Sequence, residues 1–288
     1  MTIESTIKVL KDARFNEQEA RRYELAVSIS SKKCSAVIFD SFENRFVCLI
    51  ETSIDEYLSL AEHKKEVAAF LSHSLFSTEF KSVTIIYVTF KSTLVPEAIF
   101  EKELATKFLS FNHALDFDDV VEYSFIRNGL VYCLFAIPRW LKDCVSDRFK
   151  TARFNHQTTS LIDSILMINK NKTLKKKLYV NVQKDFFDVI LIDGDNLVLS
   201  NSFCYLNSKD FMYFLMNIYE QLKLNPEINE LTFMGQIDYD SDLLIQAKLF
   251  VKNINFVSYR DELQRFSYVF DDVSLVHYVS LLNLFACV

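Results

Sequence analysis

Asp238, Asp240 and Asp242 alternate in the stretch DYDSD, a spacing that resembles the start of a calcium loop. The glycine and terminal glutamate of such a loop are missing, and Asp240 or Ser241 instead suits a helix N-cap. Two further acidic clusters, Asp116-Phe117-Asp118-Asp119 and Asp271-Asp272, fall beside predicted element ends, where carboxylates serve turns and caps. The five histidines, at 63, 73, 113, 156 and 277, are dispersed. His63 and His73 flank one predicted helix at a separation unsuited to joint metal ligation, and no HExxH occurs. Six cysteines, at 34, 48, 133, 144, 204 and 287, form no CxxC pair. Cys34, Cys48, Cys133 and Cys204 lie in predicted strands, where a thiol behaves as a small hydrophobe. No resident metal is expected from these residues.

Glycine supplies the stronger exclusion. The chain of 288 residues holds 3 glycines and 3 prolines. Phosphate-cradling loops need glycines where backbone approaches the anion, so Walker and dinucleotide patterns are absent, as is the GxSxG nucleophile turn. The formal charge of −6 does not attract a polyanion. The one basic cluster, Lys170 to Lys177, reads as a solvated connection, so no nucleic-acid partner is expected. Met1 to Arg22 is charged and lacks the apolar core of a secretory signal, and no apolar run reaches the ~18 residues of a membrane span. A cytoplasmic protein with no direct membrane insertion is the expectation.

The elements that would position any site come from hydrophobic patterning. Leu178 to Gln183 alternates, with Tyr179 and Asn181 on one face and Leu178, Val180 and Val182 on the other, as a half-buried strand requires. Phe187 to Ile192 is apolar apart from Asp188, which suits a strand covered on both faces. Asp193-Gly194-Asp195-Asn196 is a hairpin turn, and Leu197 to Tyr205 returns as a third strand. Asn207 or Ser208 caps a helix carrying Phe211, Leu215, Ile218, Tyr219 and Leu222 on one side. A fourth strand begins at Glu230.

The same plan stands earlier. Strands are predicted at Glu24–Ser30, Cys34–Asp40 and Arg45–Glu51, then a helix capped by Ser53 with Glu56 in capping-box spacing, then a strand at Ser82–Phe90. Strand-strand-strand-helix-strand therefore occurs twice, offset by about 150 residues, and the fold class is α/β with mixed sheets in two lobes. The expected division is a lead over 1–22, a first lobe over 23–155 and a second over 156–288. Further expectations are a short helix over Ile7–Ala13, a loop at Thr93–Pro96, a helix over Glu97–Phe111, a hairpin at Glu122–Ile137, a helix opened by Pro138, a strand at Phe154–Leu161 and a final helix at Ser274–Phe285.

This duplicated order resembles the ribonuclease H-like fold of actin-like proteins, among them those of bacterial pilus assembly and cell division. More closely, the segments LAVSIS, AVIFD and NRFVCLIE, the TLVP stretch and the IPRWL helix start are similar to a bacterial family catalogued as a domain of unknown function, over roughly Glu24 to Cys287. The resemblance implies an Asp-x-Gly phosphate turn after the first strand of each lobe and a Gly-Gly adenosine contact later. The matching positions here are Ser28 and Ser30, Asn181 and Gln183, and Gly235-Gln236. Both aspartates and both turn glycines are replaced. Loss of the carboxylate removes a Mg²⁺ anchor, and side chains at the glycine positions block phosphate. A ribonuclease H-type nuclease needs several carboxylates around two metals. The first strands offer Ser28 and Asn181 instead, and Asp40 only ends the second strand of the first lobe.

The expectation is thus an actin-like binding or scaffold protein with degenerate phosphate loops, no catalytic residues and no cofactor, working with a protein partner or a second copy of itself. The competing expectation is an ATP-binding actin-like protein, with Mg-ATP as cofactor, linked to cell-envelope or pilus assembly.

Overall fold

The structure is a computed structural model and describes residues 7–170 and 175–286. The middle of the basic cluster at 170–177 and Cys287 lie outside these residues. The chain opens with β1 (Lys8–Lys11), β2 (Tyr23–Ile29), β3 (Lys33–Asp40), β4 (Arg45–Ser53), α1 (Leu60–Leu71) and β5 (Ser82–Tyr87). It continues through β6 (Ser92–Pro96), α2 (Ala105–Ser110), β7 (Asp119–Ile126), β8 (Val131–Pro138), α3 (Arg139–Arg148), β9 (Arg153–His156) and α4 (Gln157–Asn169). The second repeat is β10 (Lys176–Val182), β11 (Phe186–Asp193), β12 (Asn196–Cys204), α5 (Ser208–Gln221), β13 (Glu230–Gly235), α6 (Asp242–Ala247) and β14 (Ile254–Phe256), before α7 (Val279–Leu282) closes the chain.

The two main sheets have one topology. The first runs β4-β3-β2-β5-β9, with β1 added outside β4, and the second runs β12-β11-β10-β13-β14. In each, the first three strands meander antiparallel and the last two run parallel to the first. Even the bulges correspond, at Ile38/Phe39 in one and Leu191/Ile192 in the other. The predicted duplication is therefore a property of register, not only of element order.

Period-two alternation explains how each sheet is buried on both faces. Leu25, Val27 and Ile29 of β2 pack with α1 and α3, while Ala26 faces the other way. Leu178, Val180 and Val182 of β10 pack with α5 and α6. The inner faces of both sheets meet in a shared core with α4, α7 and the chain end, where Ile190, Met234, Phe39 and Phe285 belong to one cluster. The smaller sheet β6-β8-β7 lies against the same core through Ile126, Cys133, Phe135 and Ile137.

Several local expectations are corrected. Residues 8–11 form a strand, because β4 offers an open edge and pairs Lys8 with Glu51. Ser53 stays in the ladder opposite Lys33, and α1 is capped six residues on by Ser59 and Glu62, a second Ser-x-x-Glu with both capping-box bonds made. The TLVP stretch is β6, paired antiparallel with β8. The predicted helix over 97–111 breaks into two 3₁₀ turns and the six residues of α2. The strand after Arg153 stops at His156, whose ring accepts from Thr158 N and caps α4. The final helix is a four-residue α7 between 3₁₀ turns. The Gly194 turn holds as predicted, with φ of 63°, and Asn207 and Ser241 cap α5 and α6. Among the described residues no helix is long and apolar enough to cross a membrane.

Candidate functional site

A cleft of about 430 Å³ opens where the ends of β2 and β10 face one another. Ser28, Ser30, Asn181, Gln183, Gly235 and Gln236 all line it, so the fold brings the six sequence-derived positions together. Strand geometry is the cause. Ser28 and Asn181 hold equivalent places on the inner faces of β2 and β10, and the turns that follow them bring Ser30 and Gln183 to the mouth.

The two turns carry side chains throughout. In the first, Ser30 Oγ donates to Lys33 O at 2.9 Å and accepts from Lys33 N at 2.9 Å, closing the hairpin. In the second, Gln183 N donates to Phe186 O at 2.9 Å, and Tyr205 Oη braces the turn by donating to Gln183 O at 2.7 Å. The turns are tied to each other. Lys32 Nζ donates to Asp185 Oδ1 at 2.5 Å across the mouth and lies 3.1 Å from Glu56, which Lys184 approaches at 3.2 Å. Asp185, at the place where a metal ligand would be sought, is thus occupied by a lysine of the other half.

Gly235 has φ of 87°, and a Cβ there would lie 2.3 Å from Val182 O and 2.6 Å from Asn181 Oδ1. The strand β10 presses on it, and Gln236 N donates to Val182 O at 2.7 Å. Its lack of a side chain serves this close strand approach. Gln236 reaches across to His277 O at 3.3 Å.

Behind the cleft lies a buried polar group that the strand pattern signalled only as an interruption. Asp188 is fully buried, opposite Asn181 on β11. It accepts from Ser202 Oγ at 2.7 Å, from Asn181 Nδ2 at 2.8 Å and from Gln157 Nε2 at 3.3 Å. Burial raises its pKa to about 6 against the opposing pull of these three donors. Gln157 belongs to α4 and also donates to Thr89 O at 2.8 Å, so the network joins the first half to the second sheet. The Asn181 Oδ1 atom is buried and has no hydrogen-bond partner. A lone carboxylate inside an apolar run was the available signal, since unpaired buried acids are rare.

Beside the cleft, Glu51 sits between two of its lining residues, Lys33, whose Nζ is at 2.8 Å, and Tyr278, whose hydroxyl donates to it. Burial would raise its pKa, but the bonds from Lys33 and Tyr278 outweigh that and hold it down to about 2. Every lysine lining the cleft, 32, 33 and 184, thus faces a carboxylate. Among the described residues no group of three His, Cys, Asp or Glu side chains stands ready to hold a metal. Chemically the cleft offers hydroxyls, amides and neutralised charge.

The duplicated sheets and the cleft between them are those of the actin-like ATPase fold. A Bacteroides thetaiotaomicron protein, described as having an actin-like ATPase fold and unknown function, matches at a TM-score of 0.82 and 24% identity, covering 96% of this chain and 100% of that one. The structure titled "PilM-PilN type IV pilus biogenesis complex" contains a chain matching at a TM-score of 0.59 and 9% identity, covering 93% of this chain and 98% of that one. The chain belongs to the family described as "Protein of unknown function (DUF3822)", matched over residues 12–254. No curated protein matches it in sequence.

Proposed function

We propose that this protein is a non-catalytic member of the actin-like fold, a binding or scaffold module of the bacterial cytoplasm whose phosphate turns have been converted into a contact between its halves. The observation that carries the reading is the Lys32–Asp185 bond, made by the two turns between which a nucleotide's phosphates would have to lie. A phosphate cradle presents backbone amides, glycine and a metal-holding carboxylate. These turns present Ser30, Ser31, Lys32, Lys33 and Gln183, Lys184, Asp185, Phe186, with the one carboxylate already paired. Protein partnership is the expected mode of action, by self-association or with another chain. The similar fold of a chain in the pilus biogenesis complex supports it at the level of architecture alone.

Thermal unfolding with and without millimolar Mg-ATP tests the reading, together with phosphate release by the purified protein. A ligand at 100 times its dissociation constant stabilises the native state by about 2.7 kcal/mol. No upward shift and no phosphate release are expected. Mg²⁺-dependent hydrolysis, or a clear shift with Mg-ATP, overturns the proposal in favour of an ATP-binding protein of envelope or pilus assembly.

A further inference from the structure

The last strand of a sheet presents unpaired backbone groups, and folded proteins guard such edges with short strands, charge or proline. Most edges here are guarded in these ways. β1 is four residues long with Lys8 and Lys11, and β9 is four residues long with Arg153. β6 ends in Pro96, β7 carries Asp119 and Glu122, and β14 has three residues. Among the described residues β12 is the exception, nine residues of sequence NLVLSNSFC with neither a charge nor a proline. In the first repeat the equivalent strand, β4, is covered by β1, which pairs antiparallel with it from Cys48 to Glu51.

The β12 edge is open. Inside the sheet, β11 is buried along all but its last residue, whereas no residue of β12 is fully buried. Among the described residues β11 is its one strand partner, and no backbone bond joins β12 to β6 or to another segment. Ser202 N donates instead to the adjacent side chain, Asn201 Oδ1, at 2.9 Å. This amide therefore points away from β11, and alternation turns those of Ser200 and Cys204 the same way. Leu199, Asn201 and Phe203 lie on the α5 face, opposite Leu191, Val189 and Phe187 of β11. Ser200 and Ser202 lie on the other face. From Phe203 the apolar surface runs through Phe214, at 5.4 Å, to Tyr213, which is 68% exposed.

This pattern is its own complement. Laid antiparallel on a second β12 about a two-fold axis at Asn201, it sets Leu199 opposite Phe203 and Ser200 opposite Ser202, with no charges opposed. Apolar and hydroxyl pairs of this kind stabilise antiparallel strands, and the outward amides of Ser200 and Ser202 fall at the hydrogen-bonded positions. We propose that the protein forms a symmetric dimer through β12, joining the second sheets of two copies into one. Each β12 then gains the antiparallel neighbour that β1 gives β4. The proposal rests on the reading above that the protein works through protein partnership, and makes that partner a second copy of the chain.

Sedimentation velocity of the full chain over a dilution series tests it. A monomer–dimer equilibrium is expected without any nucleotide. Asn201→Lys places two cations at the two-fold axis and should weaken the dimer by at least about tenfold. Leu249→Lys, at an exposed apolar site between α6 and β14, should leave it intact. Facing Cα atoms of a non-hydrogen-bonded antiparallel pair lie about 4.5 Å apart, within disulfide reach. Asn201→Cys in a Cys204→Ser background should therefore cross-link into a covalent dimer under mild oxidation, a readout that decides the matter if the lysine variant folds poorly. A monomer at every concentration overturns the inference. So do a dimer that a folded Asn201→Lys leaves intact, and an Asn201→Cys variant that does not cross-link. Mg²⁺-dependent phosphate release by the same samples would instead overturn the non-catalytic reading, which loss of the dimer alone leaves standing.

Discussion

Lys32 and Asp185 occupy the same place in the two halves, 153 residues apart, and their side chains meet at 2.5 Å. Each follows the first strand of its repeat, so an internal duplication has become a contact between its own copies. Lys32 is 21% exposed and Asp185 55%, which places the pair in the range of partly screened surface ion pairs. A double-mutant cycle with Lys32→Ala and Asp185→Ala should give a coupling of about 0.5–1 kcal/mol that shrinks as salt is raised. Amide exchange at Gln183 and Phe186 should quicken in Lys32→Ala. A coupling indistinguishable from zero at low salt would show that the turns are held together by packing alone.

The same offset sets Ser35 against Asp188 and Ser28 against Asn181, so one half of the duplication carries hydroxyls where the other carries a carboxylate and its amide partner. The raised Asp188 pKa has a defined pH signature. The folded state holds this proton more tightly than the unfolded one, so the group's stabilising contribution is complete below about 3.8 and is lost as pH rises through about 6. The difference corresponds to about 3 kcal/mol. Asp188→Asn removes the titration, and Asn181 can turn its amide over to accept from the new carboxamide. The stability of this variant relative to wild type should therefore improve between pH 4 and 7 in urea denaturation. A difference that stays flat with pH would mean that Asp188 is hydrated rather than buried.

Much of this site was legible before any coordinates. Alternation in β10 placed Asn181 on the face opposite Leu178, Val180 and Val182, and the repeat aligned Ser28 and the turns that follow both strands. What stayed hidden was decided by contacts distant in sequence. Ser53 and Ser59 both precede a glutamate by three residues, and only the β4 ladder, which holds Ser53 opposite Lys33, selects the second as the cap. The stretch 97–111 was expected to be one helix, yet α2 is its only α-helical part, and Phe100 serves the small sheet, where it stacks on Tyr132. Asp188 was visible as an oddity, but its partners come from β10, β12 and α4.

Gly235 carries a strong local prediction. A side chain there meets the carbonyl of Val182 at 2.3 Å and must also adopt a positive φ. Strain of this kind and overpacking each cost about 1–3 kcal/mol. Gly235→Ala should lower stability by about 2–5 kcal/mol in urea denaturation. Replacing Gln236 by Ala, which removes only the bond to His277 O, should cost under about 1 kcal/mol. If Gly235→Ala is silent, β13 can shift away from β10, and the glycine is free to meet a ligand after all.

The chain end couples the halves more strongly than the turns do. Phe285 stacks on Phe39 at 4.6 Å and meets Phe46 edge-on at 5.6 Å, so a segment that follows the second sheet completes the core of the first. Phe266 stacks on Phe46 from the same side, and Arg45 donates to Phe266 O at 3.1 Å. Truncating a buried phenylalanine to alanine costs about 3–5 kcal/mol, so Phe285→Ala should shift the unfolding midpoint by that amount. The chain's one tryptophan, Trp140, lies in α3 of the first half and reports on it by fluorescence, while circular dichroism reports on both. A shared core predicts coincident transitions by the two probes in wild type. In Phe285→Ala both should move together. If fluorescence alone shifts, the halves unfold independently, and the chain end is a prop for the first sheet rather than a bond between the two.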